Sequence, residues 1–270
     1  MASNRYEAMF ARLAGRGEGA FVPFAVVGDP DLATSLEIAA ALVEGGADAL
    51  ELGIPFSDPL ADGPTIQAAA LRALRAGATP AACLEAVGRI RRAHPGIPIG
   101  LLVYANLLEA LGPDAFFARA AASGVDSVLV ADLPAFEAGP WAARAEAHGV
   151  CPVLIAPPDA ERERLAAIAA LCRGYTYVVA RAGVTGADRR LRLRHGALFA
   201  ALREEGAPPP LLGFGVSAPD HVRAAIAAGA RGAISGSAVV ERVAAHLGDP
   251  AAMRAALVRF TREMKEGTRS

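Results

Sequence analysis

Two carboxylates eleven residues apart, Glu51 and Asp62, stand in the segment ADALELGIPFSDPLADGPT, residues 47–65. Glu51 interrupts an apolar run with the composition of a buried β-strand. An unpaired carboxylate in such a place is costly and tends to neutralise. That pushes its pKa up, towards the range where one group can both give and take a proton near neutral pH. Asp62 follows a proline-stiffened loop, PFSDPLADG, which carries Asp58 and Asp62 together. It has a bland use as well, because Pro64 suits the first position of a helix and the acid would then serve as its cap.

Glycine-rich turns supply the second chemical signal. GFGVS (213–217), SGSAVV (235–240) and RAGVTGA (181–187) each follow a candidate strand. Glycine lets backbone N–H groups approach an anion, and a helix N-terminus favours negative charge. Three such turns point to a phosphate ester. Other reagents are scarce. Of 27 basic side chains only Lys265, near a C-terminus expected to fray, is lysine. That argues against a Schiff base, a bound pyridoxal phosphate or a Walker loop. His94, His148, His195, His221 and His246 fall in or beside candidate helices rather than at strand ends, so no metal cluster is expected. Two carboxylates remain, with a tyrosine: Tyr104 ends one strand and Tyr177 lies inside another. By alternation Tyr175, Tyr177, Val179 and Arg181 share a face, and parity alone leaves open which tyrosine lines a cavity.

Positioning these groups requires a frame. Candidate strands at 21–27, 47–54, 97–104, 125–132, 151–158, 175–181, 209–216 and 231–235 alternate with helical stretches near 33–45, 79–94, 113–123, 135–149, 160–173, 191–206, 218–229 and 237–247. Many helices close on glycine before the next strand, as in EGGAD and ASGVD. Eight of each predict an α/β fold: a single (β/α)8 barrel domain spanning 1–270, with an extra N-terminal helix (3–15), a helix inserted after strand two (63–77) and a tail helix (249–265). In strand two Ala49, Glu51 and Gly53 share one face and Leu50, Leu52 and Ile54 the other. The bulky set must meet the helices, so Glu51 faces the barrel interior, near the mouth where such barrels keep their sites.

Composition agrees with a small-molecule enzyme. The chain has 270 residues, 53% hydrophobic, with net charge −1. No basic run suggests nucleic acid. No apolar stretch is long enough to cross a bilayer, and MASNRYEAMFARL lacks the apolar core of a signal peptide, so a cytoplasmic enzyme is expected. Cys83, Cys151 and Cys172, widely spaced among apolar residues, read as reduced filler rather than a disulfide or zinc framework.

These residues carry a resemblance. FVPF…GDP (21–30), EGGADALELGIPFSDPLADGPTIQ (44–67), IGLLVYAN (99–106), GVDSVLVADLP (124–134), GYTYVVARAGVTGA (174–187) and GFGVSAPD…GARGAISGSAVV (213–240) resemble the family of tryptophan synthase α chains, in order and over nearly the whole chain. The resemblance implies a cofactor-free lyase that cleaves indole-3-glycerol phosphate to indole and glyceraldehyde 3-phosphate in tryptophan biosynthesis. It makes Glu51 the catalytic acid/base, Asp62 the acid that holds the indole N–H, and Tyr177 the active-site tyrosine. It places Phe24, Leu102, Tyr104, Ala131 and Phe214 around the indole, and Thr185, Gly186, Gly215, Gly236 and Ser237 around the phosphate. It further implies a pyridoxal-phosphate β chain, in an α2β2 assembly, docked against Pro55, Asp58, Pro59, Asn106 and Pro134.

Some positions depart from the family's pattern. Val26 stands where threonine is usual and Ala180 where serine is. LPAFEAGPW after Asp132 lacks the paired acids often found there, and DRRLRLRHG (188–196) is unusually rich in arginine. Three rival readings remain at this stage: the same lyase working alone and releasing free indole, a sugar-phosphate isomerase, and an inactive barrel kept as a regulatory subunit.

Overall fold

The computed structural model describes residues 4–179 and 195–269. Nine strand segments run in chain order: β1 (Ala20–Val26), β2 (Leu50–Gly53), β3 (Ile99–Val103), β4 (Ser127–Val130), β5 (Cys151–Val153), β6 (Ile155–Ala156), β7 (Thr176–Val179), β8 (Pro210–Gly213) and β9 (Gly232–Ser235). All pairings are parallel, in the order β5-β4-β3-β2-β1-β9-β8-β7-β6. Only Leu154 separates β5 from β6, so the two ends of this order belong to one interrupted strand. The sheet is therefore the expected eight-stranded barrel. The candidate strand at 151–158 is broken at its centre, a feature that the apolar run CPVLIAPP did not reveal.

The helices that position the site are α1 (Arg5–Ala14), α2 (Leu32–Glu44), α3 (Pro64–Arg75), α4 (Pro80–Ala93), α5 (Ala105–Leu111) and α6 (Pro113–Ala122). The second half carries α7 (Gly139–Ala147), α8 (Arg162–Leu171), α9 (Gly196–Glu204), α10 (Pro219–Ala227), α11 (Ser237–Ala245) and α12 (Pro250–Glu266). The extra helices α1, α3 and α12 lie where the sequence placed them. α5 was not anticipated: ANLLEAL spans two turns only and shows too little periodicity to separate from a loop. The stretch expected as one helix at 135–149 is a 3-10 turn, Ala135–Glu137, followed by α7.

Inside the barrel, small residues make room for large ones. A methyl group on Gly53 would lie 2.7 Å from the Phe24 ring, and one on Gly100 2.7 Å from Ser127 Oγ and 3.0 Å from the Tyr6 hydroxyl. Real Cβ atoms essentially never approach to 2.7 Å, so a side chain at either place would force its neighbours to shift. Tyr6 enters from α1. Its hydroxyl lies 2.8 Å from Ser127 Oγ, and its ring packs against Tyr175 at 5.3 Å. One aromatic from the extra helix thus fills the space left by glycine and serine on β3 and β4.

The opposite termini are fastened by charge. Lys265 is not frayed: it lies within α12, 13% exposed, pairing with Glu18 at 3.1 Å and Asp48 at 2.8 Å. Asp48 is buried and also accepts from the Phe21 N–H, which joins the tail helix to the start of β1. The α3 insertion is tied down in turn. Arg72 donates from Nε and an Nη to the two oxygens of buried Asp29, at 2.7 and 2.9 Å, in the loop after β1. A two-point pair of this kind fixes rotation as well as distance.

Candidate active site

Glu51 occupies the middle of β2, paired in register with Phe24 on β1 and Gly100 on β3. Its side chain points inward, as strand alternation required, and is 1% exposed. Burial raises its pKa to about 7, while a hydrogen bond from the Tyr175 hydroxyl, 2.6 Å away, opposes that rise. Tyr175 itself is fully buried, and burial together with the nearby Glu51 charge holds its phenol well above the usual value. The phenol remains a donor. A carboxyl with its pKa raised to about 7 is suited both to giving and to taking a proton near neutral pH.

Asp62 lines the same cavity as Glu51. Burial lifts its pKa to about 6, and the Tyr104 hydroxyl, donating at 2.9 Å to Oδ2, lowers it. The helix-capping reading of Asp62 fails. The N-cap of α3 is Gly63, with no side-chain cap bond, and Pro64 holds the first helical position without any need for the acid. Asp62 contributes only its backbone carbonyl to the helix, accepting from Gln67 Nε2 at 2.8 Å.

The two acids line one cavity, and most of the anticipated residues meet there. Phe24, Leu102 and Phe214 form apolar walls, Tyr177 is close enough to both acids to feel their charge, and Gly215, Gly236 and Ser237 complete the lining. Ile66, Val216 and Ile234 also line it and were not singled out beforehand, because apolar residues on helices and strands carry no distinguishing mark. Tyr104 borders a smaller adjoining chamber, together with Val26, Pro55, Phe56 and Pro59. Ala131 is half-buried beyond β4 and lies on neither wall. Thr185 and Gly186, with the rest of the turn at 181–187, Ala180 and most of the arginine-rich stretch, lie outside the described residues.

Backbone strain marks the turn that leaves β8. Phe214 adopts φ 65°, in the left-handed region that non-glycine residues rarely enter, and Gly215 follows at φ 74°. Such a conformation costs about 1–3 kcal/mol and persists only when its surroundings demand it. Here it sets the Phe214 ring edge-on to Tyr177, with centroids 5.9 Å apart. His221 secures the turn: its Nδ1 lies 3.1 Å from the Gly215 carbonyl and 3.3 Å from the Ser217 N–H. Gly236 then caps α11, whose first N–H groups have no acceptor within the helix, and both Gly236 and Ser237 line the cavity. β8 must carry glycine at 213, since a methyl group there would overlap the Tyr177 hydroxyl.

The residues expected at a docking surface lie on the same rim of the barrel. Asp58 and Asn106 are exposed, and Pro59 and Pro134 are partly so. Pro55 differs: it is buried against the adjoining chamber. The rim loops are cross-linked, because Asp132 Oδ1 accepts from the Ala105 N–H at 2.8 Å. Leu60 and Phe136, 84% and 83% exposed, stand out on two of these loops. No group of histidine, cysteine and acidic side chains able to hold a metal occurs among the described residues. The three cysteines carry free thiols, and no described helix is long and apolar enough to cross a membrane.

With this geometry in place, similarity to known proteins becomes interpretable. The family model for the tryptophan synthase alpha chain matches residues 10–269. A tryptophan synthase alpha chain of Escherichia fergusonii is 58% identical over 266 residues, covering 98% of this chain and 99% of that one. One from Escherichia coli is likewise 58% identical, with the same coverage. Among solved structures, tryptophan synthase of Mycobacterium tuberculosis superposes with a TM-score of 0.88 at 31% identity, covering 99% of both chains. The tryptophan synthase complex of Pyrococcus furiosus gives 0.82 at 34% identity, covering 92% of this chain and 98% of that one.

Proposed function

The chain belongs to the tryptophan synthase alpha chain family, and we propose that Glu51 and Asp62 carry out the reaction of that family in its shared cavity. That reaction is the lyase step that cleaves indole-3-glycerol phosphate to indole and glyceraldehyde 3-phosphate. The observation that carries the residue assignment is that both acids line one cavity, each displaced upward by burial, together with residues of two glycine turns.

The phosphate occupies the end formed by Gly215, Gly236 and Ser237, where helix N–H groups face it. The flat indole lies between Phe24, Leu102 and Phe214, with its N–H against Asp62. Protonated Glu51 delivers its proton to indole C3. Positive charge then develops on the ring, and ionised Asp62 stabilises it through the N–H. Glu51, now a carboxylate, removes the proton from the hydroxyl on the carbon beside the ring. That C–O becomes a carbonyl as the bond to C3 breaks and its electron pair returns to the indole. Glu51 ends protonated, as it began, and the step draws on no cofactor. Tyr177 places a phenol beside both acids. The phosphate tether orients the bond that breaks, so binding energy remote from the reaction lowers the barrier.

Several features support a wider reading: one catalytic domain over residues 1–270, acting in the cytoplasm, partnered by a pyridoxal-phosphate β chain. The rim carrying Asp58, Pro59, Asn106 and Pro134 adjoins the chamber beside Asp62, so a docked β chain would meet the loops that border the site. The test is direct. Purified protein incubated with indole-3-glycerol phosphate should release indole and an aldehyde phosphate in equal amounts. Turnover of a pentose or triose phosphate, with no indole formed, would support the isomerase reading instead.

A further inference from the structure

We propose that Tyr104 is a positioning residue for Asp62: its hydroxyl, held at the rigid end of β3, fixes both the carboxylate and the loop that carries it. This rests on the role given to Asp62 above and deepens it.

Tyr104 follows β3 immediately and is buried. Its hydroxyl donates to Asp62 Oδ2 at 2.9 Å and accepts from the Ala61 N–H at 3.2 Å. One phenol therefore engages both the side chain of residue 62 and the backbone just before it. Its ring stacks on Phe56, with centroids 5.3 Å apart and planes inclined by 28°. Phe56 and Ala61 lie towards opposite ends of the loop between β2 and α3. Both ends close on the same side chain.

The loop needs such an anchor. Ser57, Asp58 and Leu60 are exposed, and the segment forms no strand or helix of its own. From the far side Gln67 holds the Asp62 carbonyl. A tyrosine with donor, acceptor and ring face all engaged has no rotational freedom left, and neither has the carboxylate bound to it.

The electrostatic surroundings make the hydroxyl more important. Asp62 shares the cavity with Glu51 of β2 and Tyr177 of β7, and Asp132 acts on Tyr104 from beyond. On α11, Glu241 approaches Thr65 rather than Asp62. No cation among the described residues pairs with Asp62, and Tyr104 is a neutral donor aimed at its carboxylate.

Tyr104→Phe keeps the ring and its stack and removes the hydroxyl. Measured on the intact protein with indole-3-glycerol phosphate, it should lower kcat about tenfold or more. The acid limb of the kcat/KM profile should move to higher pH, because the charged form of Asp62 has lost a donor. Parent and variant see the same ionisation of the substrate phosphate, so any displacement of the limb belongs to the protein. Combining Tyr104→Phe with Asp62→Asn should add little to the loss from Asp62→Asn alone.

A parental rate with coincident profiles would overturn the proposal, as would effects of the two substitutions that simply multiply. So would a fall in urea midpoint with the acid limb unmoved. Phe56→Leu loosens the stack but keeps the hydroxyl. It should displace the limb the same way by less, and it serves if Tyr104→Phe does not fold. Should the parent itself release no indole, the functional reading fails separately. An NMR titration of the Asp62 carboxyl carbon, without substrate, then decides: an upward shift in Tyr104→Phe supports positioning, and no shift refutes it.

Discussion

A carboxyl group that is 1% exposed and yet titrates at about 7 affects more than the reaction. Its folded-state pKa lies above the unfolded value, so between the two the folded protein holds more protons. Stability therefore falls as pH rises through that interval. The Glu51 contribution is complete below about 4.5 and is lost as pH climbs through about 7. A displacement of that size corresponds to roughly 3 kcal/mol. Glu51→Gln keeps an acceptor for the Tyr175 hydroxyl but has no charge to bury. Urea unfolding at a series of pH values should show the variant gaining on the parent from pH 5 to 8. Parallel curves would mean that Glu51 is as well solvated folded as unfolded. Its inward direction was legible from the alternation of Leu50, Glu51 and Leu52. Its bond to Tyr175 was not: parity placed Tyr175 and Tyr177 on one face, and only three-dimensional packing put the first on Glu51 and the second in the cavity.

At the scale of elements, the site is assembled from strand ends and the turns that leave them. β2 supplies Glu51, the loop before α3 supplies Asp62, and β8 with its strained exit supplies Phe214 and Gly215. Gly213 links two of these strands, because the Tyr177 hydroxyl of β7 fills the space a side chain would take on β8. Gly213→Ala forces Tyr177 to move. The substitution should cost about 1–3 kcal/mol in urea unfolding and lower kcat well beyond what the lost folded fraction explains. Parental kcat in the folded protein would show that the place of Tyr177 is immaterial. The sequence made the main helices and strands readable through period and glycine caps. It hid α5 and the break at Leu154, where local preference is weak and closure of the barrel decides. It also left Asp62 divided between capping and chemistry, and with Gly63 as the cap the first of these falls away.

Across the whole molecule, the exposed rim and the buried acids are joined by one loop. Asp58 and Leu60 face outward while Asp62 faces the cavity, and Phe56 with Tyr104 stands between. A partner seated on this rim would restrict the loop that presents Asp62, so docking and catalysis should be coupled. Adding a tryptophan synthase β chain should raise the rate of indole release, and the substrate should in turn tighten the association. An unchanged rate with the complex formed would leave the protein as a lyase acting alone. The proline-stiffened loop carrying two aspartates suggests such coupling from sequence alone, whereas the exposure of Phe136 on a neighbouring loop was not anticipated. All of this depends on Glu51 moving one proton out and one back. Single-turnover release of indole from indole-3-glycerol phosphate by Glu51→Gln, in protein shown by urea unfolding to be folded, tests that most directly. The account predicts a rate lower by a factor of about 10³ or more. Release within a few-fold of the parent would contradict it.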